Sequence, residues 1–201
     1  MAHPRPAGTG FIGRLPELEA LLAAVTHLAQ GHGSVALIGG ESGIGKTRLA
    51  TEIAARAAEH GVRVVWSRCH EAEGRPPYWA WVQVVQNLVF TLGADTVGTE
   101  LGPDGEPLGR LVPELRSSYG AVTPAVAAES ESARFLLFQA MAALLRRVSV
   151  AAPLLLILDD LHWSDLPSLL LLDFLAHDLD AMPVLVVGTH RDVEVRRRPE
   201  V

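Results

Sequence analysis

The segment from Gly40 to Thr47 constrains the fold of this chain more than any other part of its sequence. It reads Gly-Glu-Ser-Gly-Ile-Gly-Lys-Thr, which fits the phosphate-binding pattern G-x-x-x-x-G-K-[ST]. An apolar run at residues 34–38 precedes it with the character of a strand, and residues 48–59 follow it with helical composition. Strand, glycine-rich loop and helix in this order form the context in which such a loop binds phosphate. The alternative is a glycine-rich turn that carries Lys-Thr by accident, and the two flanking elements disfavour it.

The residue types in this loop suit phosphate binding. Glycines at 40, 43 and 45 allow successive backbone N–H groups to point into one concavity, and the following helix adds the positive end of its dipole. Lys46 supplies a mobile positive charge for the outer phosphates, and the hydroxyl of Thr47 can bind magnesium. We therefore predict that nine consecutive residues contact the nucleotide: Gly40, Glu41, Ser42, Gly43, Ile44, Gly45, Lys46, Thr47 and Arg48.

Two carboxylates end a second apolar run. Residues 154–158 are all Leu or Ile, and Asp159 and Asp160 follow directly. A strand that is apolar on both faces belongs in the interior of a parallel sheet, and ligands bind beyond the carboxyl ends of such strands. We predict that Asp159 positions magnesium together with Thr47. Because side chains alternate along a strand, Asp160 should point elsewhere, either toward an attacking water or as the cap of a turn or helix.

A third apolar run, at residues 183–188, ends in Thr189, His190 and Arg191. An arginine at the tip of a neighbouring strand could reach the terminal phosphate and distinguish a triphosphate from a diphosphate. Alternatively, Arg191 opens the basic stretch that includes residues 196–198 and is merely solvated. Position alone leaves both alternatives open.

Composition narrows the classes of function. A chain of 201 residues that is 49% hydrophobic can form one domain with a substantial core. A net charge of −6 argues against a surface that binds nucleic acid directly. The single cysteine, Cys69, excludes an internal disulfide and matches a reducing compartment. Neither a signal peptide nor an apolar run of membrane-spanning length is recognisable. We expect a cytoplasmic protein without membrane association.

Strand and helix patterns alternate along the chain, which predicts an α/β fold with a mainly parallel sheet in three layers, α/β/α. We expect a flexible lead-in at residues 1–10 and a single domain at residues 11–201. A further strand is predicted at 62–66, and helices at 15–30, 78–92, 133–148 and after Ser164 or Asp165. Residues 93–132 are rich in glycine, proline and small polar residues, which predicts an irregular insertion.

Six short motifs occur in an order that resembles one protein family. They are Phe-Ile-Gly-Arg at 11–14, the loop at 40–47, Arg-Cys at 68–69, Pro-Pro-Tyr-Trp at 76–79, Asp-Asp-Leu-His-Trp-Ser-Asp at 159–165 and Gly-Thr-His-Arg at 188–191. Together they resemble the nucleotide-binding module of the large ATP-binding regulators of the LuxR type. Those regulators are signal-transduction ATPases among the AAA-like P-loop proteins. The resemblance extends from Phe11 to about Glu194, and it depends on the combination rather than on the loop alone.

The resemblance implies ligands and roles that spacing does not reveal. Its ligands would be ATP or ADP with Mg²⁺. Phe11, Ile12 and Gly13 would contact adenine with Arg14 near the nucleotide, although a helix lead-in with a buried Phe11 is the alternative. Asp159 and Asp160 would be the metal-binding and water-polarising acids, and Arg191 the phosphate-sensing arginine. Three residues are therefore predicted to be catalytic: Lys46, Asp160 and Arg191.

Members of the resembled family continue through another core strand, a helical lid and a winged-helix region, whereas this sequence ends at Val201. The resemblance therefore predicts a P-loop NTPase domain truncated before the lid, with a sheet edge open to self-association or to regulatory domains. Three functions stay open. The first is an ATP-binding, slowly hydrolysing switch module of a signal-transduction or transcriptional regulator. The second is an independent ATPase or small-molecule kinase, and the third is a catalytically silent interaction module.

Overall fold

The computed structural model describes residues 13–71, 76–115 and 130–192. Within these ranges four β-strands and seven α-helices follow one another along the chain. The strands are β1 (Ser34–Ile38), β2 (Arg63–Arg68), β3 (Leu154–Asp159) and β4 (Val184–Thr189). The helices are α1 (Leu15–Leu28), α2 (Lys46–Glu59), α3 (Trp79–Leu92), α4 (Ala94–Leu101), α5 (Glu106–Leu111), α6 (Glu131–Ala151) and α7 (Leu166–Ala176).

The four strands form one sheet in the order β1-β4-β3-β2, and every neighbouring pair is parallel. The predicted parallel sheet is therefore confirmed. The strand before the glycine-rich loop, β1, and the acidic strand, β3, lie on either side of β4. Because all four strands run in one direction, their carboxyl ends meet at the same edge of the sheet. Every residue of the interior strands β3 and β4 is buried, whereas β1 lies at one side of the described sheet and exposes Leu37.

Helices cover both faces of the sheet, which confirms the three-layer prediction. Helices α1 and α2 pack against one face, where they enclose Leu155 and Ile157 of β3. Helices α3 to α7 lie on the opposite side, where their buried side chains share one core with Leu154, Leu156 and Leu158, and α4 and α5 pack on α6. The alternation of β3 side chains between the two cores is the two-residue period of a strand. It places Asp159 on the face that carries α2.

The boundaries of the helices follow from residues that satisfy their terminal N–H groups. Asp165 caps α7 by accepting a hydrogen bond from Ser168 N at 2.8 Å, and Pro167 stands in the first turn. Ser130 Oγ caps α6 in the same way by accepting from Ala133 N at 3.1 Å. Of the two caps that the sequence allowed for α7, the structure uses Asp165.

The region from residue 93 onward corrects the prediction of an irregular insertion, because its described part, residues 93–115, is largely helical. Gly93 and Gly102 end α3 and α4 with positive φ angles of 89° and 63°. Pro107 stands in the first turn of α5, where its missing N–H costs nothing. The residues that suggested irregularity are therefore helix ends and starts. Five buried residues tie this region to the core: Val97, Leu101, Leu108, Val112 and Leu115.

Several predicted segments lie outside the described residues. These are the lead-in at 1–10, Phe11 and Ile12 of the adenine segment, the remainder of the insertion at 116–129 and the basic stretch at 196–198. In the described part of the chain, no helix has the length and apolarity that crossing a membrane would require.

Candidate nucleotide-binding site

The loop between β1 and α2 adopts a backbone that only glycine takes readily. Gly40, Gly43 and Gly45 have φ angles of 144°, 80° and 94°, all in the region that disfavours residues with a Cβ. The first hydrogen bond that closes α2 runs from Leu49 N to Gly45 O. The N–H groups of residues 46–48 therefore belong to the open end of the helix, where an anion is favoured.

Lys46 lies at the end of this loop and is a buried residue. Its Nζ donates to Gly40 O and to Glu41 O, both at 2.8 Å, and the residue is 7% exposed. The chain thus bends the side chain back over the loop that precedes it. Two neutral carbonyl oxygens leave the positive charge without a carboxylate partner in these contacts, so the charge is available to phosphate oxygens.

Thr47 and Asp159 meet across the site. Thr47 Oγ1 donates to Asp159 at 3.1 Å from Oδ1 and 3.3 Å from Oδ2, although 112 residues separate the two in sequence. Asp159 ends β3 on the face that carries α2, and Thr47 lies in the first turn of that helix. The sequence-based expectation that these two groups face each other agrees with this geometry.

Three side chains stand side by side at the carboxyl ends of β2, β3 and β4. Arg68 pairs with Asp159 in the parallel register of β2 and β3, and Thr189 lies one residue beyond the Leu158–Gly188 pair of β3 and β4. Thr189 Oγ1 donates to Asp159 Oδ1 at 2.7 Å, and Arg68 Nη2 lies 3.1 Å from Asp159 Oδ2. Asp159 is 1% exposed, so its charge is balanced by Arg68 and by two hydroxyl donors.

Asp160 leaves the strand and turns back toward the same site. β3 ends at Asp159, and Asp160 has a left-handed backbone with a φ of 62°, a conformation that Asp tolerates better than most residues. Asp160 N donates to Thr189 Oγ1 at 2.9 Å, and its carboxylate Oδ2 lies 3.8 Å from Arg68 Nε. Both carboxylates thus reach the same guanidinium, Asp159 from the end of the strand and Asp160 from the turn after it, where the alternation of strand side chains no longer applies.

The two acids nevertheless have different surroundings. The Asp159 side chain is 2% exposed and faces the hydroxyls of Thr47 and Thr189, whereas the Asp160 side chain is 26% exposed. The Asp160 side chain makes no capping hydrogen bond to the short 3-10 turn that follows it, Leu161–Trp163. The Asp160 side chain therefore does not cap this turn, and its carboxylate is reachable by water.

Arg14 lies beside the glycine-rich loop. A Cβ on Gly40 would stand 3.4 Å from Arg14 Nη2, so the guanidinium packs along the backbone of that glycine. Arg14 has a left-handed backbone, with a φ of 54°, immediately before α1. Gly13, the other described residue of the predicted adenine segment, also has a positive φ, of 90°. The structure thus brings Arg14 to the loop, and the adenine role of the segment stays a prediction.

The residues after β4 approach the start of the loop. His190 N donates to Ile38 O at 3.1 Å, which continues the pairing of β4 with β1. A Cβ on Gly39 would stand 3.0 Å from the His190 ring and 2.7 Å from Asp192 Oδ1. Arg191 lies between these two residues and is partly buried. Its backbone is therefore held near the loop, while its phosphate-sensing role stays a prediction.

The motifs at 76–79 and 159–165 are joined by the carboxylate of Asp165. Asp165 Oδ1 accepts from Tyr78 N at 3.0 Å as well as from Ser168 N, so one carboxylate joins the start of α3 to the start of α7. Tyr78 has a left-handed backbone, with a φ of 64°, and its ring contacts Phe138 edge-on. Burial, with a smaller contribution from Asp165, raises the pKa of the Tyr78 phenol, and Arg134 opposes this shift. Tyr78 and Trp81 are buried core residues, and Trp79 packs against the same core.

The donor set of the site fits Mg²⁺. Thr47 offers a hydroxyl oxygen and Asp159 a carboxylate, and Mg²⁺ is held by one or two such groups together with phosphate oxygens and water. Among the described residues there is no group of three or more His, Cys, Asp or Glu that could enclose a metal ion by itself. A site with two protein oxygens next to a phosphate-binding loop matches the coordination of a magnesium–nucleotide complex.

Sequence reasoning missed Thr189 and the position of Arg68. Both residues stand at the carboxyl ends of strands, where ligands of a parallel sheet bind. The predicted second strand ended at residue 66, two residues short of the observed end at Arg68. Thr189 directly follows the apolar run at 183–188, and a polar residue in that position is itself a signal of a site at the end of a strand.

A parallel sheet between two helical layers, with a glycine-rich loop facing an acidic strand end, defines a P-loop nucleotide-binding protein. Within this class the chain belongs to the AAA ATPase domain family, whose model matches residues 10–187. It is therefore a nucleotide-binding ATPase module, and domains of this family generally bind nucleotide with Mg²⁺. A comparison with curated proteins finds no match.

Proposed function

We propose that this chain is an ATP-binding, slowly hydrolysing switch module of a signal-transduction or transcriptional regulator of the LuxR type. The observation that carries the nucleotide site is the contact of 3.1 Å between Thr47 Oγ1 and Asp159 Oδ1, which joins the phosphate loop to the acidic strand. Membership of the AAA ATPase domain family supports the same site. The regulatory role rests on the six ordered motifs that the chain shares with those regulators.

In this proposal the loop binds the phosphates of ATP. The Lys46 ammonium exchanges its two carbonyl partners for phosphate oxygens, and the N–H groups of the loop and of the first turn of α2 donate to the same anion. Gly13, Phe11 and Ile12 contact adenine, with Arg14 at the edge of the loop. Thr47 and Asp159 hold Mg²⁺, which offsets negative charge on the phosphates.

Hydrolysis in this site depends on positioning and electrostatics rather than on a covalent intermediate. The partly exposed Asp160 orients the attacking water, while Lys46 stabilises the charge on the transferred group. Arg191 contacts the terminal phosphate and reports whether it is present. Slow turnover suits a switch, because the nucleotide state must persist long enough to change contacts with other domains.

The output of the switch passes through contacts with regulatory domains or through self-association in this proposal. A net charge of −6 and a pI near 5.7 disfavour direct contact with nucleic acid. The lone cysteine, which is buried, favours a reducing compartment such as the cytoplasm.

The first experiment identifies the ligand. We would denature the purified protein, analyse the released nucleotide by chromatography, and measure ATP and ADP binding to protein freed of nucleotide. We expect an adenine nucleotide to bind, and Lys46→Ala to abolish binding because it removes the only side-chain ammonium of the loop. A Lys46→Ala protein that retains full affinity would refute the site.

A second, independent experiment is possible because Lys46 is the only lysine of the sequence. Reductive methylation therefore modifies one side chain and the N-terminal amine, which serves as an internal reference. We expect Mg²⁺ with ATP to protect Lys46 while the reference amine continues to react. Equal modification of Lys46 with and without ATP would contradict phosphate binding at this loop.

The two alternative functions give different results in the same assays. Phosphoryl transfer to an identifiable small-molecule acceptor would indicate a kinase instead of a switch. Failure to bind any adenine nucleotide would indicate a silent interaction module. Tight binding with very slow release of phosphate is the result that the switch module predicts.

A further inference from the structure

Arg68 is a cation whose head group touches both acids of the site. Its Nη2 lies 3.1 Å from Asp159 Oδ2, and its Nε lies 3.8 Å from Asp160 Oδ2. Neither the phosphate loop nor the hydrolytic scheme above uses this residue. Its position at the end of β2, beside Asp159 in the register of the sheet, places it at the edge where ligands bind.

The backbone of Arg68 is fixed while its side chain is not. Gln83 of α3 binds both backbone groups: its Oε1 accepts from Arg68 N at 3.3 Å, and its Nε2 donates to Arg68 O at 3.1 Å. The Arg68 side chain is 52% exposed. The guanidinium can therefore move away from the acids without any change in the sheet or in α3.

The same carboxylate oxygen faces both Arg68 and Thr47. Thr47 Oγ1 lies 3.3 Å from Asp159 Oδ2, the oxygen that the guanidinium also contacts. A buried carboxylate without a positive partner is costly, so Arg68 balances Asp159 in the nucleotide-free protein. A metal ion held by Thr47 and Asp159 has to compete with that guanidinium for the carboxylate.

We propose that Arg68 is a tethered counter-cation that competes with Mg²⁺ for the Asp159 carboxylate and so sets the Mg²⁺ requirement of the site. This inference rests on the proposed nucleotide site and deepens it. Without Mg²⁺, Arg68 balances the two acids, so an incoming ATP meets less repulsion. With Mg²⁺, the guanidinium releases Asp159 and stays near Asp160. Arg68 is a positioning residue in this scheme, because it acts through the two carboxylates.

The first test needs no nucleotide. Thermal unfolding of the ligand-free protein is followed while Mg²⁺ alone is added to wild type, Arg68→Gln and Arg63→Gln. Gln keeps part of the side-chain stem of Arg and removes the charge. Arg63 is the matched control, since it lies on the same strand at the opposite end of the sheet. We expect the half-saturating Mg²⁺ concentration of Arg68→Gln to fall about fivefold or more, because the competing cation is gone, and that of Arg63→Gln to stay at the wild-type value.

The second test measures ATP affinity with and without Mg²⁺ by fluorescence of a labelled ATP analogue. We expect the affinity without Mg²⁺ to fall about fivefold or more in Arg68→Gln and Mg²⁺ to restore most of it. The ratio of the two affinities therefore rises relative to wild type and to Arg63→Gln. Arg68→Lys, which keeps the charge, should restore part of the wild-type ratio, and it also serves if Arg68→Gln does not fold.

The outcomes separate this inference from the proposed function. Identical Mg²⁺ dependence of Arg68→Gln and Arg63→Gln in both tests overturns the role of Arg68, even if ATP binds. Absence of ATP binding by the wild-type protein overturns the proposed function, while the titration with Mg²⁺ alone still decides whether Arg68 competes for the carboxylate.

Discussion

The hydroxyl of Thr189 donates a hydrogen bond of 2.7 Å to Asp159 Oδ1. The same hydroxyl accepts one of 2.9 Å from Asp160 N. One fully buried side chain at the end of β4 therefore fixes Asp159, the acid of the proposed metal site, and the backbone of the next acid together. The two carboxylates are positioned by the neighbouring strand as well as by their own.

Replacing Thr189 with Val tests this arrangement at nearly constant shape. The variant leaves a buried carboxylate with one donor fewer and Asp160 N without its acceptor. We expect the free energy of unfolding to fall by about 1–3 kcal/mol, measured by urea unfolding with tryptophan fluorescence. Hydrolysis should also slow, because Asp160 loses its support.

The matched control for Thr189→Val is Thr99→Val. Thr99 Oγ1 also donates a hydrogen bond, at 2.8 Å to Asp95 O, but on the exposed surface of α4. Its stability should change by less than about 0.5 kcal/mol. Equal effects of the two substitutions would contradict a special role for Thr189.

Replacing Asp160 with Asn tests the division of roles between the two acids. We expect ATP affinity to stay within a few-fold of wild type and single-turnover hydrolysis to fall about 10²–10⁴-fold, since an amide cannot take a proton from water. Asp159→Asn is the comparison, and it should weaken the dependence of binding on Mg²⁺ instead. If Asp160→Asn hydrolyses ATP at the wild-type rate, another residue orients the water.

Replacing Asp165 with Ala tests the link between the starts of α3 and α7. The variant removes the cap of α7 at Ser168 N, the acceptor of the Ser168 hydroxyl and the acceptor of Tyr78 N in one step. We expect a loss of about 2 kcal/mol in the free energy of unfolding, near the upper end for a helix cap. Ser130→Ala, which removes only the cap of α6, should cost about 1 kcal/mol. A smaller loss for Asp165→Ala than for Ser130→Ala would show that the additional bonds from Tyr78 N and the Ser168 hydroxyl contribute nothing.

Replacing Gly33 with Ala tests the close approach between the residue before β1 and the chain at residues 179–184. A Cβ at this position would overlap the carbonyl oxygen of Val184 and would stand 2.5 Å from Met182 O and 2.8 Å from Leu179 O. Backbone oxygens cannot rotate away, so we expect a loss of about 3 kcal/mol in the free energy of unfolding.

The control for Gly33→Ala is Gly31→Ala, where a Cβ meets no atom within 4 Å but the φ of 91° is unfavourable. That backbone penalty amounts to about 1–2 kcal/mol. Calorimetry or urea unfolding of both variants gives the comparison. A smaller loss of stability for Gly33→Ala than for Gly31→Ala would mean that the chain at Gly33 easily moves away from residues 179–184.

Local patterns were sufficient for most of the fold. The strand at Ser34–Ile38 has the predicted bounds, and α2 ends at the predicted Glu59 but begins at Lys46, two residues before the predicted helical stretch. These elements are specified by residues that are neighbours in the chain, such as the glycines that permit positive φ angles. The prediction of an irregular insertion was wrong for its described part, residues 93–115. It rested on local residue types, and helix-ending glycines and helix-starting prolines resemble loop residues when the core around them is unknown.

The sequence by itself determined the phosphate loop, the acid that faces it and the layered α/β architecture, because each depends on residue types at short range. Only the tertiary structure decided that Arg68, Asp159 and Thr189 stand in one row and that Asp160 turns back toward Arg68. That row depends on the register of three strands from distant parts of the chain. Register is fixed by which apolar faces pack together, and no local pattern along a single strand contains that information.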